Sequence, residues 1–346
     1  MKPMALFVLI TSLATGTTIT LSSHHWLLAW MGLEINTLAI IPLMTSTPHP
    51  RAIEAATKYF LTQAAASALM LFTALINAKT FGEWYISSIS TSMSIPLTLA
   101  ICMKLGLAPL HFWMPEVMQG VPLTTGLIVT TWQKIPPMVL LLQISETTNP
   151  LLVTTFGLTS IILGGWGGLN QTQVRKIMAY SSISHMGWIL LVIKFNPTTA
   201  LLTFLLYIIM TTSLFIFLIL LNTTKLLQIP TTWPLTPSMT LIMLITLLSI
   251  GGLPPLTGFI PKLLIMLDLI QQQSLILACT ALLASMPALY FYIRLTYVML
   301  LITPPNTTQS KTTWRTPLKT PAIISMVIPP ATLLLPIAPT MMTIIQ

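Results

Sequence analysis

Acidic residues are scarce in this chain: six Asp and Glu among 346 residues, with only 6% charged residues in all. A soluble domain carries about 25% charged residues, so the polar groups needed to cover a water-facing surface are missing. No polar run is long enough for a soluble domain; the longest, over 303–320, reads as a loop. There are two cysteines, Cys102 and Cys279, both inside apolar segments. That excludes a disulfide framework and a cysteine-held metal or iron–sulfur site. A glycine-rich phosphate loop with its lysine is absent, and the five histidines are too dispersed for a haem-ligand pair. No nucleotide, metal or redox chemistry is expected on the chain itself. The net charge of +9 does not indicate nucleic acid either, because the basic residues are scattered between apolar spans.

What fills the chain instead is apolar: 54% of residues are hydrophobic. Runs of about 20 such residues, enough to cross a bilayer, follow one another from end to end. Lys2 leads straight into the first, with no small-residue cleavage site, so that run reads as a span and not a signal peptide. Helices are predicted over 4–22, 25–45, 55–77, 93–118, 122–145, 150–169, 177–194, 197–221, 237–271, 274–300 and 321–344. The fold class is all-α: a polytopic membrane protein of about 11 transmembrane helices.

The ninth segment, 35 residues long, carries Gly251-Gly252-Leu253-Pro254-Pro255 in its middle, which predicts an interruption. Loop charge decides whether it crosses once or twice. With 11 crossings, the N-terminal side collects Lys2, Arg51, Arg175, Lys176, Lys225, Lys311, Arg315 and Lys319, against Lys79 and Lys194 on the other side. Two crossings would move the last three and leave five against five. Only the first distribution shows the bias of basic loops to one face, so the ninth helix is read as one broken crossing.

A repeat supports this. Gly106-Leu107-Ala108-Pro109-Leu110-His111-Phe112-Trp113-Met114-Pro115-Glu116 matches Gly252-Leu253-Pro254-Pro255-Leu256-Thr257-Gly258-Phe259-Ile260-Pro261-Lys262 at a constant spacing of 146, with five of 11 positions identical. Five helices separate the copies, and an odd number of crossings inverts one against the other. Paired Gly/Pro-interrupted helices in inverted repeats point to a transport pathway. The expected organisation is one transmembrane domain, 1–346. It divides into a first five-helix repeat (1–147), a second (148–300), and a loop with one extra C-terminal helix (301–346).

Ionisable residues inside spans cost a few kcal/mol each and are usually functional. Four stand out: Glu34 in the second helix, Lys104 just before the Gly106 break, Lys134 before Pro136-Pro137, and Lys262 after the second break. Burial disfavours a lysine's charged form and a nearby carboxylate favours it, so a lysine between the two can exchange a proton near neutral pH. Glu34 with Lys104 would make such a couple. His111 and His185 are weaker candidates, each read first as a hydrogen-bonded packing residue. Thr130, Thr131, Gln133, Ser181, Ser182 and Ser184 have the polarity for a proton wire. The alternative reading is structural. Lys104 and Lys134 would fix packing through ion pairs, and Lys262 would pair with Asp268. Lys58 reads as a surface pair with Glu54, four residues earlier, and Arg294 as snorkelling or paired. The repeat is imperfect here: it aligns Lys262 with Glu116 and Lys104 with Ile250, and nothing in the seventh helix replaces Glu34.

Taken in order, several stretches resemble the antiporter-like membrane subunits of respiratory complex I. They are Trp26-Leu27-Leu28-Ala29-Trp30-Met31-Gly32-Leu33-Glu34-Ile35-Asn36, Ala55-Ala56-Thr57-Lys58-Tyr59-Phe60-Leu61, the run from Lys104 to Glu116, Tyr180-Ser181-Ser182-Ile183-Ser184-His185-Met186-Gly187, and Gly251-Gly252-Leu253-Pro254-Pro255. The resemblance covers essentially the whole chain. It implies a proton channel with Glu34 as the helix-two carboxylate, Lys104 as the broken-helix lysine, Lys134 as the connecting lysine and Lys262 as the lysine of the second broken helix. It implies the mitochondrial inner membrane, with the N-terminus on the matrix side and the C-terminus on the intermembrane-space side. The implied partners are other membrane-arm subunits and lipids, with no nucleic acid. NADH, flavin, iron–sulfur clusters and ubiquinone would serve other subunits of the enzyme. The expected function is proton translocation coupled to NADH-to-ubiquinone electron transfer elsewhere in the complex. The rival classes are a stand-alone cation/proton antiporter and a purely structural membrane subunit.

Overall fold

The computed structural model describes residues 3–232, 237–301 and 322–345. Lys2, Lys311, Arg315, Lys319 and the polar stretch 303–320 lie outside them. Among the described residues the chain is helical throughout, with two isolated β-bridges and no longer ladder. The α-helices are α1 (Pro3–Ser22), α2 (Trp26–Met44), α3 (Pro50–Phe81), α4 (Thr91–Leu105), α5 (Trp113–Gly120), α6 (Leu123–Thr130), α7 (Ile135–Gln143), α8 (Pro150–Gly168), α9 (Val174–Ile193), α10 (Pro197–Leu220), α11 (Pro237–Gly251), α12 (Phe259–Gln271), α13 (Leu275–Leu301), α14 (Ala322–Leu333) and α15 (Ala338–Ile345). Seven of these, α1, α2, α3, α8, α9, α10 and α13, are long and apolar enough to cross a membrane, and α4 and α11 are shorter apolar helices.

Local chemistry sets the ends. Five helices begin at proline, whose missing N–H costs nothing in the first turn. His25, His49 and Asn196 cap α2, α3 and α10, each accepting from a backbone N–H. Gly82, in the left-handed region at φ 75°, closes α3. α3 therefore runs beyond the predicted 55–77. The many Ser and Thr hydroxyls donate to their own helix three or four residues back, as Thr20 does to Thr17 O (2.8 Å) and Ser182 to Ala179 O (2.7 Å). These polar side chains thus sit in apolar helices without loose donors.

The chain forms two compact units, Met1–Ser160 and Ile161–Gln346. In the first, α1 and α2 approach closely over small residues: a Cβ on Gly32 would lie 2.8 Å from Gly16 O. In the second, α9 is the most enclosed helix, with 83% of its apolar window buried. Each unit stitches its first interhelical loop to its third. Trp26 N donates to Trp84 O and Ile86 N to His24 O in one; Val174 N donates to Thr224 O and Leu226 N to Thr172 O in the other (all 3.1 Å). A 3-10 turn follows both stitches, Ile86–Ser88 and Leu226–Gln228.

The two broken helices end alike. In α4, Leu107 N bonds Cys102 O (3.0 Å) and Gly106 N bonds Met103 O (3.2 Å), with Gly106 at φ 73°. In α11, Leu253 N reaches Leu248 O (3.5 Å) and Gly252 N bonds Ser249 O (2.9 Å), with Gly252 at φ 85°. Both are Schellman closures, in which a glycine past the helix end satisfies the last carbonyls. The helices resume with matching bonds, Met114 N to His111 O (3.0 Å) and Ile260 N to Thr257 O (3.1 Å).

Two predicted helices differ from expectation. The fifth, read as continuous over 122–145, is interrupted by a 3-10 turn at Trp132–Lys134. Pro136 and Pro137 carry no N–H for the carbonyls four residues back, so the regular ladder lapses there. The final helix, read as 321–344, divides into α14 and α15 around a 3-10 turn, Leu335–Ile337, that contains a proline.

The glycines separate two kinds of cost. A Cβ on Gly258 would overlap Ser249 O, whereas one on Gly82 meets nothing within 4 Å. Gly82→Ala is expected to cost only left-handed strain, about 1–2 kcal/mol. Gly258→Ala is expected to cost more, from overpacking worth about 1–3 kcal/mol or beyond. Thermal unfolding in detergent should rank them in that order; the reverse ranking would mean that the second break is not so tightly closed.

Candidate functional site

Each unit sets a lysine beside its broken helix, Lys104 buried and Lys262 half-buried. In the first, Lys104 occupies the last turn of α4, two residues before the left-handed Gly106, and is 5% exposed. Its Nζ has no hydrogen-bond partner in the protein, nor has the buried Oε2 of Glu34 on α2. The two sequence-predicted partners are therefore not in hydrogen-bond contact. They interact through the field: the Glu34 carboxylate acts electrostatically on both Lys104 and Tyr59. Lys134 is buried in the 3-10 turn that interrupts the fifth segment. Lys104 and Lys134 share a cavity of about 10 Å³, at the size that holds one water.

The polar side chains of that cavity besides the lysines are Thr37, Tyr59, Gln63 and Gln133, with Trp113 closing one wall. Gln133 also donates to the backbone carbonyl of Asn36 on α2 (3.2 Å). Asn36 and Gln63 are themselves buried, with amide atoms that find no protein partner. Buried polar groups are satisfied by protein or by ordered water, and this concentration of them makes the interior around Lys104 hydrophilic. Thr37, Tyr59 and Gln63 were not among the residues singled out from sequence. A signal was present: Leu33 and Thr37, like Tyr59 and Gln63, stand four apart on one helix face.

In the second unit, Lys262 lies in the first turn of α12, and its Nζ donates to Gly251 O across the break (2.7 Å). It shares a cavity of about 20 Å³ with His185, Thr203 and Tyr207. His185 Nδ1 is 2.7 Å from Ser181 O, and its ring lies 5.8 Å from that of Tyr207. The Tyr207 hydroxyl lies beside Ser182, and the buried Tyr292 hydroxyl lies beside Ser181 without completing a hydrogen bond. Asp268, the alternative helical partner for Lys262, instead accepts from Thr199 on α10 (2.7 Å). Lys262 is thus held at the break by backbone.

The remaining sequence candidates fall elsewhere. His111 is buried within the first break, its Nδ1 3.3 Å from Pro109 O and its ring against Phe112, and does not line the Lys104 cavity. Thr130, Thr131, Ser181, Ser182 and Ser184 each donate to their own helix. They are left with lone pairs to offer. Arg294 donates to Leu169 O at the end of α8, so it caps that helix instead of snorkelling. Lys58 keeps its pair with Glu54 (2.6 Å) and gains Glu116 of α5 (2.7 Å), which a surface i,i+4 pair did not anticipate.

Comparison with known proteins gives the arrangement its kin. Residues 23–287 match the family model for the transmembrane part of NADH:quinone oxidoreductase and Mrp antiporters, and residues 289–342 match that for the C-terminus of NADH dehydrogenase subunit 2. The chain is 59% identical to NADH-ubiquinone oxidoreductase chain 2 of Aquarana catesbeiana over 342 residues, 99% of both chains. It is 53% identical to the same protein of Xenopus laevis, over 99% of this chain and all of that one. Its fold is similar to a chain in the structure of respiratory complex I from Thermus thermophilus, at 25% identity and a TM-score of 0.83, covering 96% of this chain and 79% of that one. Matched along its full length, with a lysine beside each of two alike helix breaks, the chain belongs to the NADH-ubiquinone oxidoreductase chain 2 family.

Proposed function

We propose that the chain is a proton-translocating membrane-arm subunit of respiratory complex I, in the inner mitochondrial membrane. NADH-to-ubiquinone electron transfer takes place on other subunits, and this chain moves protons through Glu34, the buried Lys104 and Lys134, and Lys262. The observation that carries this reading is a lysine beside each of the two similarly closed breaks, Lys104 buried and Lys262 half-buried, each against a small cavity. Packing alone asks for no cation at the first break, which closes through backbone bonds and the Trp113 indole.

The chemistry follows from the surroundings. In the first unit the Glu34 charge acts on Lys104 without a fixed hydrogen bond. A change in that field alters the proton affinity of Lys104 without first breaking a contact, and Lys134 lines the same cavity. In the second unit, His185, Thr203 and Tyr207 line the space around Lys262. The histidines act as supports in this reading.

The architecture belongs to the same proposal: about 11 crossings, as two inverted five-helix repeats with one further C-terminal helix, the N-terminus in the matrix and the C-terminus in the intermembrane space. The matched closures at Gly106 and Gly252, the matched loop stitches and the asymmetry of loop lysines and arginines support it.

In the intact complex, Lys104→Met and Glu34→Gln are expected to leave assembly intact and to slow pumping-coupled turnover about tenfold, or about 1.4 kcal/mol of barrier. A native proton-to-electron ratio and rate in both variants would remove the relay. Lys262→Arg provides the sharper separation. The guanidinium still donates to a carbonyl but holds its proton permanently, so stability should persist while pumping is lost; full pumping in that variant would show that Lys262 serves only the break.

Orientation is tested by single cysteines in intact inner-membrane vesicles of known sidedness, on a background in which Cys102 and Cys279 are replaced. Thr47 and Ser87 both lie in exposed loops. Thr47→Cys is expected to react with an impermeant maleimide from the matrix face only, and Ser87→Cys from the opposite face. The converse pattern would invert the assignment.

A further inference from the structure

Two of the chain's six acidic residues converge on a single lysine. Lys58 Nζ lies 2.6 Å from Glu54 Oε1, one turn earlier on α3, and 2.7 Å from Glu116 Oε2 on α5. These side chains are 41%, 61% and 52% exposed, and none lines the Lys104 cavity. Arg51, a further turn back, acts electrostatically on Glu54. The cluster therefore holds two cations and two carboxylates.

Its placement is what matters. α5 is only eight residues long and is the arm that follows the first break. A helix so short does not hold itself in place and depends on its contacts. Trp113, Glu116 and Gly120 share one face, at i, i+3 and i+7, and all three meet α3. Trp113 stands edge-on to Tyr59 at 5.7 Å. Glu116 holds Lys58. A Cβ on Gly120 would overlap Arg51 O and lie 2.7 Å from Ala55 Cβ. Trp113 also donates to Met103 O across the break (3.1 Å), and Trp113 and Tyr59 are both walls of the Lys104 cavity. The ion pair is the polar midpoint of a seam whose far end builds the site.

We infer that Lys58 is a positioning residue: through Glu116 it holds the arm after the first break against α3, and so sets the Tyr59–Trp113 wall beside Lys104. Its effect on pumping rests on the relay proposed above; its effect on α5 does not. The second unit has no counterpart, because the position aligned with Glu116 is Lys262, which turns to Gly251 O.

The test uses the intact complex and two readouts, hydrogen–deuterium exchange over residues 107–120 and the proton-to-electron ratio. Lys58→Met is expected to speed exchange there by about tenfold and to lower the ratio, while Lys58→Arg preserves both. Glu54→Gln, which touches nothing on α5, should leave exchange over 107–120 unchanged. The reversed pair Lys58→Glu with Glu116→Lys keeps one cation between two carboxylates, and should recover what Lys58→Glu alone loses. Should Lys58→Met fail to assemble, Glu116→Gln removes the same contact and leaves Lys58 with Glu54. Unaltered exchange in Lys58→Met and Glu116→Gln overturns the inference, as does a reversed pair no better than Lys58→Glu. Faster exchange with native pumping would uphold the hold on α5 and count against the relay.

Discussion

In a bilayer the backbone has no water to bond, so a helix can be opened only where its freed carbonyls find other donors. That constraint governs this chain. At both breaks the helix end is closed by a left-handed glycine and its Schellman bonds, and a side chain supplies one donor more. The side chain is Trp113, to Met103 O, in the first unit and Lys262, to Gly251 O, in the second. A buried carbonyl left without a donor costs about 1–3 kcal/mol, which gives weight to the Lys262 bond; Met103 O already accepts from Gly106 N and takes the indole as a second donor. The bends they stabilise are what bring lysine, hydroxyl and amide groups together in an otherwise apolar bundle.

The chain has few charges, and several can be followed to a defined contact or cavity among the described residues. Lys104 and Lys134 share a polar cavity, Lys262 holds a break, Arg294 caps α8, Asp268 takes Thr199, and Lys58 gathers Glu54 and Glu116. The two breaks match in backbone and diverge in side chains. One aligned position carries Glu116 in an outward cluster and Lys262 in an inward one. The backbone closure turns on the left-handed Gly106 and Gly252, so it survives such divergence.

Much of this was legible before the structure. Apolar runs with Gly and Pro at their ends mark the helices, because length and hydropathy are what a bilayer reads. The breaks at Gly106 and Gly252 were legible because glycine and proline leave few alternatives there. The interruption at Trp132–Lys134 was signalled by Pro136-Pro137, but a proline pair also fits a smooth helix start, and only the unmatched carbonyls upstream decide. Glu34 and Lys104 were recognisable as buried charges, while the absence of a hydrogen bond between them depends on side-chain reach across helices. The contact of Lys58 with Glu116 was hidden because the direction of α5 after its break is set by tertiary packing. Tyr59 and Gln63 were overlooked as ordinary residues of an apolar helix, although their spacing marks an inward stripe.

The hydroxyls that bond back to their own helices have a polarising effect on whatever lies beside them. With its hydrogen committed to a carbonyl, the oxygen of Thr130, Ser181 or Ser182 faces neighbours only as an acceptor. An ammonium group, by contrast, has only hydrogens to offer. Any solvent molecule bridging the two must take a hydrogen from the lysine and hand one on to the hydroxyl, so its dipole is set before a charge ever moves. Threonine and serine in these helices would thereby orient such a molecule without giving up a hydrogen of their own.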